Sequence, residues 1–180
     1  MADLRTRRVV TGHDAEGKAV FLQDDSLVSL NPMTGKPPEG SNAGITNIYR
    51  TQGVPPDINA PFVDYYGKLI PLVDESGIYC RICHFLPVSN PDEDTLNIEH
   101  RTQSIDFGVV LEGEIQLTLD DGAKRMLRKG DVVVQQGTMH DWSNVSDRVC
   151  SVFFVLIPSN KVKVEKSGEH LEATKWPGTD

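Results

Sequence analysis

At 180 residues, with 38% hydrophobic and 24% charged residues, the chain has the size and composition of one soluble globular domain. Its net charge of −8 excludes a phosphate-tracking surface, so neither nucleic acid nor an anionic membrane is an expected partner. No apolar run approaches the roughly 18 residues of a membrane span, and the opening MADLRTRRVVTGHD has no apolar signal region, which points to a cytoplasmic protein.

Residues 1–60 read as an irregular extension. Arg5, Arg7 and Arg8 form too short a basic run to matter and are expected on a solvated terminus. KAVFLQDDSLVSL can supply one or two strands, whereas NPMTGKPPEGSNAG and TQGVPPDINAP are rich in Pro, Gly and Asn and read as loops. Such a segment cannot fold alone. It is expected to wrap the following domain or add a strand to a partner's sheet, which makes the protein a homodimer. Tyr65 and Tyr66, in FVDYYGKL, are candidates to cover the mouth of a pocket.

Residues 61–158 hold the main domain, and from about Gly77 it runs strand, turn, strand. GIYCRICHFL is the first strand, and the polar loop PVSNPDEDTLN leads to IEH. In DFGVVLEGEIQLTL, Ile115, Leu117 and Leu119 alternate with Gln116, Thr118 and Asp120, the period of a strand with one buried face. DDG is a hairpin signal; AKRML rises again, RKGD turns, and VVVQ is a short apolar strand. QQGTMHDW is expected to be a loop bearing His140, and RVCSVFFVLIP a long buried strand. Short strands about ten residues apart, without a helical period, define an all-β barrel or sandwich. The polar stretch 159–180 reads as a loosely held tail.

Three cysteines, an odd number, argue against a disulfide framework. Cys80 and Cys83 sit three apart on a strand and so point to opposite faces; they read as buried thiols, and His84 as a hydrogen-bonded strand histidine.

The segments HRTQSIDFGVVLEGEI and GDVVVQQGTMHDWSN resemble the two motifs of the cupin superfamily, written G(X)5HXH(X)3,4E(X)6G and G(X)5PXG(X)2H(X)3N. The likeness covers residues 77–157, and RRVVTGHDAEGKAVF is also similar to single-domain cupins of fungal and bacterial small-molecule metabolism. It implies a double-stranded β-helix, the jelly-roll or cupin barrel. In that family two histidines and the glutamate of the first motif, with the histidine of the second, bind a divalent metal. Carried across, these positions fall on His100, Thr102, Asp106 and His140; Gly137 and Asn144 match, and glutamine stands at the proline position.

His100, Asp106 and His140 are formally a two-histidine, one-carboxylate set for one divalent transition metal. Aspartate is one methylene shorter than glutamate, so its oxygens fall about 1 Å short where metal distances tolerate about 0.2 Å. Threonine is a poor ligand. The alternative is a site without cofactor, in which His140 is the acid/base and His100 and Asp106 its partners.

Thr102 would line the pocket. Arg101 would clamp an oxyanion if inward, although strand alternation favours an outward salt bridge. Phe107 and Trp142 could stack on an aromatic substrate. The resemblance implies a tailoring enzyme, a lyase or isomerase that decarboxylates, dehydrates or enolises an oxygenated, aromatic or polyketide-type small molecule. The alternatives are a metal-dependent oxygenase and a non-catalytic ligand-binding module.

Overall fold

The computed structural model describes residues 4–32, 34–37, 43–68, 70–73, 76–88 and 99–175. Ten strands follow in chain order: β1 (Arg5–His13), β2 (Ala19–Val28), β3 (Ala43–Arg50), β4 (Tyr79–Phe85), β5 (Ser104–Glu112), β6 (Glu114–Leu119), β7 (Lys124–Arg128), β8 (Val132–Gln136), β9 (His140–Ser143) and β10 (Cys150–Pro158). The fold is all-β, a double-stranded β-helix, with no helix among the described residues. From residue 89 onward the polar loop expected before IEH lies outside them.

A five-stranded sheet, ordered β3-β4-β10-β5-β8, faces a three-stranded sheet, β7-β6-β9, while β1 and β2 form a separate ribbon. Register decides what enters the lumen, because paired residues share a face. Tyr79, Leu156, Asp106 and Gln135 make one inward row, and Arg81, Phe154, Gly108 and Val133 the next. Cys83, Val152 and Val110 make the third. From the opposite sheet Ile115 and Trp142 close on these rows, with the Trp142 ring edge-on to Phe154 at 5.5 Å. Ile115 and Val152 are fully buried, each contributing about 1.5–3 kcal/mol of transfer free energy.

Gly108 has a packing reason, since a Cβ there would stand 2.7 Å from the Phe154 ring. Gly113 makes the β5–β6 turn at φ +76°, with a Cβ position 2.7 Å from the Val149 carbonyl oxygen.

Several expectations are corrected. The first sixty residues carry three strands, and β3 is an edge strand of the five-stranded barrel sheet. KAVFLQDDSLVSL supplies one strand, β2, within the expectation, whereas its partner β1 is built from the arginine-rich stretch expected to be a solvated terminus. Arg8 is not solvated: it is 2% exposed and bridges Asp25 (2.6 Å) and Asp64 (2.8 Å), tying the ribbon to the loop after β3. A buried guanidinium needs such partners, and two carboxylates supply them. His140 begins strand β9 rather than sitting in a loop. The tail is hydrogen-bonded along its described part, Ser159 N–H to Gln103 O and Thr174 N–H to Arg101 O. As expected, Cys80 and Cys83 are free thiols and His84 is hydrogen-bonded, its Nδ1 2.9 Å from Ser151 Oγ; Cys83 is buried and Cys80 half-buried.

Candidate functional site

The segment 100–106 enters the larger sheet beside the start of β9. His100 and His140 are paired across this junction, each backbone N–H donating to the other's carbonyl at 2.9 and 3.0 Å. The pairing sets the two imidazoles together, ring centroids 4.4 Å apart. His140 is 3% exposed and stands edge-on to Trp142. Its Nδ1 lies 3.0 Å from the Thr138 carbonyl oxygen, which can only accept, so Nδ1 carries the proton and Nε2 keeps its lone pair. Burial first, then the charge of His100, pushes the His140 pKa down to about 4. At neutral pH it is an uncharged imidazole with a defined tautomer.

Asp106 is also buried, at 3% exposure, but its carboxylate is already committed. Ser104 Oγ donates to Oδ1 at 2.5 Å, while Thr102 Oγ1 and Gln135 Nε2 both donate to Oδ2 at 3.2 Å. Burial raises the Asp106 pKa, and these three donors and Arg81 oppose the rise. Thr102, Asp106 and Gln135 are three of the positions at which the chain departs from the two cupin motifs. Thr102 and Gln135 both donate to Asp106.

That arrangement tests the metal set. Among the described residues no three His, Cys, Asp or Glu side chains converge as a metal site requires. His100, Asp106 and His140 therefore do not assemble into the facial triad their spacing allows. The carboxylate is held by neutral donors, and the position of the second histidine is a threonine that binds the carboxylate. The donor set does not fit a resident divalent cation.

Other candidates are dispersed. Arg101 makes neither an outward salt bridge among the described residues nor a clamp: its Nε donates to the Gly137 carbonyl at 2.9 Å, and its backbone holds Thr174 of the tail. Phe107 is on the opposite pleat from Asp106 and 40% exposed, outside the barrel. Trp142 belongs to the core cluster while bordering His140. Tyr65 accepts from Arg50 at 3.2 Å and lies under its guanidinium; Tyr66 bonds the backbone of Val28.

Two buried polar side chains of the barrel interior were not anticipated from the sequence. Gln135 completes the Asp106 cage. Arg81 is inward and 4% exposed, and its strand phase, two residues from both Tyr79 and Cys83, could have revealed it.

The Cupin domain family profile matches residues 89–156. The chain is 37% identical over 145 residues to the cupin-domain-containing oxidoreductase virC of Hypocrea virens (79% of this chain, 69% of the relative). It is 34% identical over 175 residues to the cupin-domain-containing oxidoreductase fogC of Aspergillus ruber (93% and 79%). Phomopsin biosynthesis cluster protein D of Diaporthe leptostromiformis is 34% identical over 166 residues (91% and 84%). The chain belongs to the cupin family, as a single-domain member. Among the described residues no helix is long and apolar enough to cross a membrane.

Proposed function

We propose that this cupin is a tailoring enzyme of small-molecule metabolism, a lyase or isomerase that moves a proton beside a carbonyl. The observation that carries the reading is His140: a buried, neutral imidazole whose Nδ1–H is fixed on Thr138 O and whose Nε2 is left as a base. In this reading Nε2 accepts a proton from a substrate C–H or O–H, and the Thr138 carbonyl steadies the imidazolium that forms. His100, tilted beside it, orients the ring and disfavours the charge in the resting state. Thr102, Ser104 and Gln135 keep Asp106 out of the reaction and hold the wall of the site. The similarity to a protein of a biosynthetic cluster supports a tailoring role.

The names of the virC and fogC relatives favour a second reading, an oxidoreductase. One experiment separates the two. Candidate β-keto and β-hydroxy acids are incubated with the native chain in D2O, with and without chelator, and followed by proton NMR and an oxygen electrode. Deuterium incorporation or water loss that survives chelation and disappears in His140→Asn supports proton transfer. Turnover that consumes oxygen and stops with chelator overturns it in favour of redox chemistry.

The outward Phe107, Leu111, Val132 and Val134 on neighbouring strands β5 and β8 support a homodimer.

A further inference from the structure

The stretch that follows β10 is held more closely than a polar tail needs to be. Such a segment stays loose unless it is tied down, and this one is tied at both ends to the chain that enters the histidine site. It leaves β10 at Ser159, whose N–H donates to the Gln103 carbonyl at 3.1 Å, and the Gln103 side-chain amide donates back to the Ser159 carbonyl at 3.1 Å. It then folds on itself. Leu171 N–H donates to the Val162 carbonyl at 2.9 Å, Gly168 N–H to the Val164 carbonyl at 2.8 Å, and Lys161 pairs with Glu172 at 2.7 Å. It returns at Thr174, whose N–H donates to the Arg101 carbonyl at 2.9 Å while its Oγ1 accepts the Arg101 N–H at 2.8 Å.

Strand phase gives this grip a direction. Arg101 and Gln103 meet the strap and are half-buried, whereas Thr102, Ser104 and Asp106 alternate with them and are buried. The residue before Arg101 is His100, bridged to His140. Arg101 carries the grip further: its Nε donates to the Gly137 carbonyl at 2.9 Å, and Gly137 N–H donates to the Ser104 carbonyl at 3.0 Å. Val162 of the strap closes on the same point, since a Cβ at Gly137 would stand 3.1 Å from its Cγ2. The next residue, Thr138, offers the carbonyl that holds His140 Nδ1.

We propose that the strap 159–174 and Arg101 position the two histidines: the strap fixes Arg101 from outside, and Arg101 fixes both His100 and the Gly137–Thr138 turn that orients His140. Groups held within about 0.5 Å of a working geometry need such outer support. Arg101 is a positioning residue, acting through its neighbours. The consequence for turnover rests on the reading of His140 as the base, but the positioning itself does not.

The test is nuclear magnetic resonance on the isotope-labelled full chain, which needs no substrate. The wild type should show one His140 tautomer, Nδ1 protonated and Nε2 bare. Arg101→Met should mix the tautomers. It should also speed hydrogen exchange at the His100 and His140 amides by about tenfold or more, the factor a lost charge-assisted hydrogen bond predicts. Thr174→Val removes only the hydroxyl acceptor and should speed that exchange about fivefold, whereas Thr174→Ser should keep the wild-type rate. Arg8→Met is the control, because it breaks the ion pairs to Asp25 and Asp64 and should leave both amides and the tautomer unchanged. A single retained tautomer in Arg101→Met, or amides no faster in Thr174→Val, overturns the inference. Equal acceleration by Arg8→Met does so too, since it would report global stability alone. Should Arg101→Met fail to fold, the two Thr174 variants against Arg8→Met decide. Turnover that proves independent of His140 removes the base and leaves these readouts standing. Turnover lost in His140→Asn, with amides unmoved in Thr174→Val, removes the strap's role alone.

Discussion

Lowering the pH from 7.5 to about 5 should destabilise this fold through His140, by about 2 kcal/mol. The imidazole is neutral in the folded chain with a pKa pushed from 6.5 to about 4, first by burial and then by His100. A depressed folded-state value means that the unfolded chain takes up the proton first. The contribution is therefore complete above 6.5 and is lost as the pH falls from there toward 4. Linkage between those two values gives about 2 kcal/mol at pH 5 and about 3 kcal/mol near pH 4.

His84, also lowered by burial, acts in the same direction; Asp106, whose pKa is raised, acts in the opposite one by binding a proton in the folded state. A variant isolates the His140 part. His140→Asn keeps a donor for the Thr138 carbonyl but has no titrating group. Urea unfolding of both proteins at pH 7.5 and 5 gives four free energies, and the wild type should lose about 2 kcal/mol more than the variant. Equal losses would show that His140 is not held neutral, and the base assigned to it would lose its support.

Gly113→Ala should destabilise by about 2 kcal/mol or more, because the φ of +76° and the Val149 carbonyl leave no room for a Cβ; thermal unfolding reads this directly. Arg8→Met should cost about 1–3 kcal/mol at neutral pH, discounted because Asp25 and Asp64 are partly exposed. Arg8 depresses both aspartate pKa values, so that difference is present above the ordinary carboxylate range and should vanish as acid titrates the pair, which urea unfolding at low pH would show. Val134→Lys, on the outward face of β8, should shift a homodimer to monomer in light scattering without lowering the monomer's helix-free circular dichroism signal.

The barrel was legible because its strands bury one face each. Alternation in 115–120 and the turn at Gly113 mark β5 and β6, and the long apolar run 150–158 marks the central strand β10. The ribbon was not legible. β1 buries little besides Arg8, so its pattern of charges resembles a solvated tail until Asp25 and Asp64 are brought to it by the fold. His140 was found by motif spacing but misplaced in a loop, because its short strand is set by pairing with β6, where His140 stands opposite Leu119, a contact the local sequence does not signal. Phe107 was misread because a pocket residue and its strand neighbour differ only in phase: Asp106 faces in, so Phe107 must face out.

The site itself shows why spacing alone could not decide about a metal. Two departures from the family motif, taken singly, look like a damaged ligand set, a short carboxylate at Asp106 and a hydroxyl at Thr102, while the amide of Gln135 stands where the motif has a proline. Together they form one hydrogen-bonded unit in which Thr102 and Gln135 share Oδ2, and Ser104 holds Oδ1. A glutamate in the same frame would push into those donors, and a histidine at 102 would take one away. The substitutions are thus mutually dependent, as parts of a network are. The result is a carboxylate fixed in a cage of neutral donors. With Asp106 held in this way, the proton transfer proposed above draws on His140 and its neighbour His100 rather than on the carboxylate.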